Sequence, residues 1–370
     1  MKLKTLDLIV TEDCNFDCSY CYQEKDGKYM EPSTVEKAIA YFHPFFEEKA
    51  HITFFGGEPL LAFDTIKHTV SLVQEKNRNA GKDIQYSITT NGSLFTDEIF
   101  RFLAHHGFFV LLSYDGLIQD ETRKPGSRVP TLEVLRVLQS GRYPGIKFAT
   151  NSVFSPATVN RLSESLISII REGVANTNLS LTQNVPWDEA ALKTLEGELD
   201  RLKSFLAVLY KEKKIAPVSY FQPAGQETSP PAGEYFTCNG GYDRIAVSPD
   251  EDVWGCGKFH FYLKEKRDSE EFRTYSFGAL DNFIENFDTV HPRVLANYNM
   301  LSQDCYFTEK QFCFLCEEVE NCQFCPVTFA FATSLIGKIP PWACRIEGIL
   351  RKVRRRFLME IEGIQSVREV

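Results

Sequence analysis

Three cysteines near the start of the sequence, Cys14, Cys18 and Cys21, have the spacing C-x3-C-x2-C. Thiolates spaced in this way on a tight loop can converge on one metal cluster. A [4Fe–4S] cluster takes four ligands, usually cysteines, so three thiolates leave one iron open to a small molecule. Two plainer readings compete, a zinc site and packed free thiols. Zinc normally takes a fourth protein ligand, and none is near residues 14–21 in sequence. The remaining cysteines come much later: Cys238, Cys256, Cys305, Cys313, Cys316, Cys322, Cys325 and Cys344. That gap implies two domains with different tasks.

The bulk properties narrow the setting. The chain has 370 residues, 43 % hydrophobic and 25 % charged, which is ordinary for a folded protein of more than one domain. No apolar run is long enough to span a bilayer. The N-terminal apolar stretch is short, is broken by Asp7 and lacks a cleavage site, so no signal peptide is expected. A cytoplasmic setting follows, and the 11 cysteines then point to metal or redox chemistry rather than disulfides. A net charge of −9 argues against a nucleic-acid binder.

The cysteine loop needs a scaffold, and the pattern around it supplies one. Short runs rich in Val, Ile, Phe and Tyr at 6–10, 52–55, 84–88, 109–113, 147–150 and 178–182 read as strands. Helical periodicity fills the spaces at 33–42, 64–78, 97–105, 131–140, 157–171 and 188–213. Six strand–helix units imply a parallel sheet, closed or nearly closed as a barrel but short of a full eight-unit one. Its open side can be covered by another domain or a large substrate. Residues 216–237 are rich in Pro, Gly and Ser and read as a linker.

Four short motifs follow four consecutive expected strands. They are the cysteine loop with Tyr20 before its third cysteine, Gly56-Gly57-Glu58-Pro59, Thr89-Thr90-Asn91-Gly92, and Ser113-Tyr114-Asp115-Gly116. Together they resemble the radical S-adenosylmethionine (SAM) superfamily, closely over about the first 150 residues. The resemblance implies a partial (β/α)6 TIM-like barrel over residues 1–215. It implies a [4Fe–4S] cluster on Cys14, Cys18 and Cys21, whose open iron chelates the amino and carboxylate groups of SAM. Tyr20 would pack near the adenine. Gly56 and Gly57 would allow close backbone approach, and Glu58 would accept a hydrogen bond from the SAM amino group. Asn91, Ser113 and Asp115 would line or shape the SAM site, the latter two near its ribose. Arg123 is a candidate partner for the SAM carboxylate.

The later cysteines resemble the SPASM extension of the same superfamily, an α+β cysteine-rich domain holding two auxiliary [4Fe–4S] clusters, here over 238–350. Two details depart from the family pattern: Glu251 replaces its glycine, and the last spacing in the cysteine run is x2 instead of x3. By resemblance, Cys313, Cys316, Cys322 and Cys344 hold the farther cluster. Cys238, Cys256 and Cys325 hold the nearer one, with Cys305 as fourth ligand or an iron left open. A pair of zinc-ribbon sites is the competing reading. The basic run Arg351-Lys352-Val353-Arg354-Arg355-Arg356 opens a C-terminal helical segment, 351–370. It reads as a solvated helix face, with a dock for an acidic leader peptide or partner as the alternative. His260, just past Cys256, reads as packed or at the surface, with an approach to the substrate as the alternative.

The expected activity is reductive cleavage of SAM and hydrogen abstraction from a peptide or protein, with an electron from a flavodoxin or ferredoxin. Maturation of a ribosomally made peptide, by a thioether or carbon–carbon crosslink, is the favoured outcome. The chain opens directly on the first strand, so a leader-binding domain is expected as a separate protein. The rivals are a formylglycine maturase of sulfatases, a small-molecule dehydrogenase or epimerase, and a non-catalytic iron–sulfur or zinc scaffold. Gly257 stands where sulfatase maturases have an aspartate base, which counts against the first.

Overall fold

A computed structural model describes residues 1–223, 239–307 and 324–363, with the backbone alone over 300–307. The first part alternates strand and helix. Its order is β1 (Leu3–Thr11), α1 (Pro32–Phe42), β2 (Phe46–Gly56), α2 (Phe63–Asn77), β3 (Asp83–Thr90), α3 (Asp97–His105) and β4 (Phe109–Ser113). Then come α4 (Gln119–Thr122), α5 (Arg128–Gln139), β5 (Lys147–Phe154), α6 (Leu162–Arg171), β6 (Thr177–Leu181) and α7 (Glu189–Lys213). The helices form where an apolar stripe recurs. In α1 it is Val35, Ala38, Ile39 and Phe42, all buried. Start signals are local: the Thr96 side chain accepts the Ile99 N–H, and that of Asp188 accepts the Ala191 N–H.

The strands β1 to β6 pair in sequence order, all parallel, as an incomplete barrel. Among the described residues the sheet does not close. It continues instead past β1 into β7 (Arg244–Val247), β8 (Asp252–Trp254) and β9 (Gly278–Ala279). β7 runs parallel to β1, pairing Thr5 with Arg244 and Leu8 with Val247, and β8 and β9 return antiparallel. With strands on both sides, most of β1 is buried, which explains its nearly continuous apolar run.

The other elements are α8 (Gly257–Leu263), α9 (Glu270–Tyr275), α10 (Leu280–Glu285), α11 (Phe287–Phe307), α12 (Ala330–Thr333) and α13 (Pro341–Glu362). One apolar core runs from Leu3 to Phe357, through both parts of the chain. Of the expected linker, residues 216–223 are described, and they pack. Val218 and Phe221 are fully buried, Val218 bridges to Thr177 of the edge strand β6, and the Phe221 ring meets Phe357 of α13. The basic run lies mid-way along α13, which lies against α7. Lys352 pairs with Glu196 at 3.2 Å and Arg356 with Asp200 at 2.9 Å, so those charges serve a helix–helix contact.

Candidate active site

The cysteine loop leaves the C-terminal end of β1, where barrel enzymes place their chemistry. Thr11 shapes its first turn. Its hydroxyl donates to the Lys28 carbonyl at 2.8 Å and accepts the Asp13 N–H at 3.0 Å. The end of β2 passes against the loop, with Gly57 N–H donating to the Thr11 carbonyl at 3.0 Å and Glu58 N–H to the Asp13 carbonyl at 2.8 Å. Only glycines allow this approach. A Cβ on Gly56 would stand 1.9 Å from the Thr11 carbonyl oxygen, and one on Gly57 2.2 Å from that of Asp13.

Glu58 corrects the sequence-based expectation. Its carboxylate does not face the cavity. It accepts the Leu60 N–H at 3.1 Å, the Thr90 hydroxyl at 2.7 Å and the Asn91 N–H at 2.7 Å, and the residue is 1 % exposed. It ties the end of β2 to the end of β3. Burial pushes its carboxyl up to about 7, with the three hydrogen bonds holding it down against a larger rise. Asn91 does line the cavity, and its amide donates to Asn15 Oδ1 at 2.8 Å, linking β3 to the cysteine loop.

Of the two roles expected of Asp115, lining the site or shaping it, its surroundings fit the second. It is fully buried, and its carboxylate gathers Tyr20 Oη at 2.6 Å, Thr122 Oγ1 at 2.8 Å and Val153 N at 2.9 Å. Arg123 completes the knot, its Nε 2.9 Å and a terminal nitrogen 3.0 Å from the two Asp115 oxygens. Arg123 lines the cavity, yet its charge is already matched inside the protein. Its guanidinium also stacks 5.4 Å from the Tyr20 ring centre, so the pair holds the aromatic beside Cys21. Ser113 lines the cavity.

These strand ends open into a cavity of about 570 Å³, within the range of small-molecule sites. Cys14, Cys18, Cys21, Tyr20, Gly56, Gly57, Asn91, Ser113 and Arg123 line it, and so do Lys258, Phe324, Phe329, Phe331 and Trp342. Burial pushes the Cys14 thiol up and that of Cys18 up to about 11, so both stay protonated at neutral pH until a metal displaces the proton. Tyr22 stands between the two cysteine sets. Burial raises its phenol, a hydrogen bond with Gln23 opposes this, and Cys21, Cys256 and Cys325 each push it further. Residues from both sets are therefore within electrostatic reach of one ring. Cys344 is exposed on α13. Cys238, Cys313, Cys316 and Cys322, and the side chain of Cys305, lie outside the described residues.

A radical SAM superfamily domain matches residues 8–156, the stretch that carries all four strand-end motifs. The chain belongs to the radical SAM superfamily. An uncharacterised protein of Methanocaldococcus jannaschii is 31 % identical over 182 residues, 48 % of this chain and 63 % of its own length. The radical SAM cyclopropyl synthase TigE of Paramaledivibacter caminithermalis is 28 % identical over 333 residues, 80 % of this chain and 67 % of its own length. The chain thus spans about two thirds of the length of either relative. Native anSMEcpe with bound AdoMet and Cp18Cys peptide superposes with a TM-score of 0.76 at 17 % identity, covering 99 % of this chain and 100 % of that one. At this identity the likeness bears on the fold alone.

Radical SAM enzymes carry SAM and a [4Fe–4S] cluster, and the residues present suit both. Three thiols line a single cavity together with Gly56 and Gly57, and three thiolates leave a four-iron cluster one iron open to a small molecule.

Several lining residues escaped the sequence reading. Asn151, within β5, and Ser180, near the end of β6, are hydrogen-bonded at 2.9 Å, and the Asn184 amide donates to the Tyr20 carbonyl at 3.3 Å. Their signal was position on or just past an expected strand, with no motif to mark them. Lys258 and the aromatic wall had no such signal. His260 is fully buried and does not line the cavity.

Proposed function

We propose that this radical SAM enzyme matures a ribosomally made peptide in the cytoplasm, forming a carbon–carbon or thioether bond at a residue seated against the aromatic wall. The observation that carries this reading is the lining of the cavity, which brings three thiols together with an aromatic wall of Phe324, Phe329, Phe331 and Trp342. An apolar wall offers a place for an aliphatic side chain while keeping water from a reactive centre. The similarity to a cyclopropyl synthase supports carbon–carbon bond formation, and the fold shared with a peptide-bound relative supports a peptide substrate. When bound and supplied with one electron, the cluster and SAM provide the 5′-deoxyadenosyl radical that takes a hydrogen atom from an unactivated carbon. The chain's own part is positional: Gly56 and Gly57 give backbone access, Asn91 and Ser113 face the cavity, and the Asp115–Arg123 knot holds Tyr20. On this reading Cys238, Cys256 and Cys325 hold the nearer auxiliary cluster, with Cys305 or an open iron, Cys313, Cys316, Cys322 and Cys344 hold the farther one, and these clusters would accept the electron released as the new bond forms. A flavodoxin or ferredoxin is the proposed reductant, and a separate protein the proposed leader binder.

Two measurements test this. Replacing Cys14, Cys18 and Cys21 together with alanine should abolish 5′-deoxyadenosine formation under dithionite, and continued SAM cleavage would refute the ligand assignment. Anaerobically reconstituted enzyme should hold roughly twelve irons per chain, as three four-iron clusters. Stoichiometric zinc with only about four irons would remove the auxiliary clusters.

A further inference from the structure

A buried cluster of charges holds the stems of the cysteine loop, and the reading above leaves it unused. Lys264 caps the C-terminal end of α8, and its side chain is 2 % exposed. Its ammonium stands 2.5 Å from Glu12 Oε2, donates to the Glu24 carbonyl at 3.0 Å, and lies 3.5 Å from Asp26 Oδ2. Glu12 comes just before Cys14, and Glu24 and Asp26 just after Cys21. One cation therefore holds both stems of the loop. The other Glu12 oxygen accepts from His260 Nε2 of the same helix, and neither side chain reaches solvent. The stems are also stitched by the Glu12 N–H, which donates to the Lys28 carbonyl at 2.9 Å.

Apolar side chains of similar volume would fill this space at no desolvation cost, so the buried pair is not explained by stability alone. What a charged pair adds is direction: it fixes two chain segments at set positions relative to a third. Here the third is α8, which begins directly after Cys256. We propose that Lys264, acting through Glu12, is a positioning residue for the catalytic cluster. It sets the height of the cysteine loop over the Gly56-Gly57 floor, and so where SAM meets the open iron. This rests on Cys14, Cys18 and Cys21 being the cluster ligands.

The test uses reconstituted holoenzyme with SAM as the probe, reduced with dithionite and followed by electron paramagnetic resonance. The SAM-induced change in the spectrum reports the cluster with the open iron. Lys264→Met strands a buried carboxylate and will also lower the melting temperature. The deciding variant is therefore Lys264→Met with Glu12→Gln, which removes both charges and recovers most of that loss. It should keep its iron, yet bind SAM about tenfold more weakly, the equivalent of one lost hydrogen bond, with an altered SAM-induced spectrum. Lys264→Arg should restore most of the binding. A double variant with parental SAM affinity and spectrum would reduce the pair to a structural tie and overturn the proposal. So would one that holds no iron, since a positioning role presupposes an assembled cluster. Cys14→Ala separates the two ideas. If it retains the SAM-induced change, the ligand assignment fails instead.

Discussion

Gly57→Ala should disable the active site without replacing a proposed ligand. The added Cβ would stand 2.2 Å from the Asp13 carbonyl oxygen, 2.6 Å from the Asp13 carbonyl carbon and 3.0 Å from Cys14 Cβ. The first two are backbone atoms of the cysteine loop, so no side chain can swing aside. Ordinary contact begins near 3.4 Å, so loop and strand end must part by about 1.2 Å, the difference from 2.2 Å. That movement breaks or stretches the hydrogen bonds from Gly57 N–H to Thr11 at 3.0 Å and from Glu58 N–H to Asp13 at 2.8 Å. At about 0.5–1.5 kcal/mol for each bond and about 1–3 kcal/mol for overpacking, the cost is about 2–6 kcal/mol. A shift of this size beside Cys14 should lower SAM turnover by about a hundredfold. The assays are thermal melting, iron content after anaerobic reconstitution, and 5′-deoxyadenosine yield. Gly348→Ala on α13 is the control. Among the described residues no atom beyond its chain neighbours and its own helix backbone lies within 4 Å of the added Cβ, and alanine should stabilise the helix by up to about 1 kcal/mol. A Gly57→Ala protein with parental melting, iron and turnover would refute the close-packing argument.

Two further outcomes are expected. Glu58 is raised from its ordinary 4.5 to about 7, so its contribution to stability is complete below about 4.5 and is lost as pH rises through about 7. The full span is about 3 kcal/mol. Glu58→Gln removes this slope. It also turns an N–H donor towards the Asn91 or the Leu60 N–H, costing about 1–3 kcal/mol. The stability gap between parent and variant should shrink as pH rises from 4.5 to 7, and a constant gap in denaturant titrations would count against the buried placement. Asp115→Asn strands the buried Arg123 guanidinium and should cost about 3–5 kcal/mol, read as a lower denaturation midpoint. An unchanged midpoint would show that the Asp115–Arg123 knot is dispensable.

The barrel was legible because its units are local. Strand and helix periods place the six strands and the main helices between them, and the strand-end motifs fall at strand ends that line the cavity. What was not legible depends on direction or distance. Glu58 and Asp115 sit in the right motifs, but which way a carboxylate turns is decided by donors on other strands: Thr90 and Asn91 for one, Val153 and Arg123 for the other. The joining of β7 to β1 and of α13 to α7 leaves no periodic trace, because the partners are far apart in sequence. The opposed charges of Glu196 and Lys352, or of Asp200 and Arg356, identify each other only once the helices are side by side.

The position of β1 inside the sheet bears on how the enzyme is made. Synthesis runs from the N-terminus, so β1 and β2 emerge early, while the far edge of β1 waits for Arg244–Val247. Until then a long apolar strand presents unpaired backbone groups, a template for association with other chains. Pairing Thr5 with Arg244 also closes a very long loop, the kind of contact that slows folding. The stem at Glu12 gains its Lys264 anchor only after that pairing. A nascent or truncated chain ending before β7 would therefore expose three thiols next to an adhesive edge, and iron is best delivered once the whole polypeptide has left the ribosome.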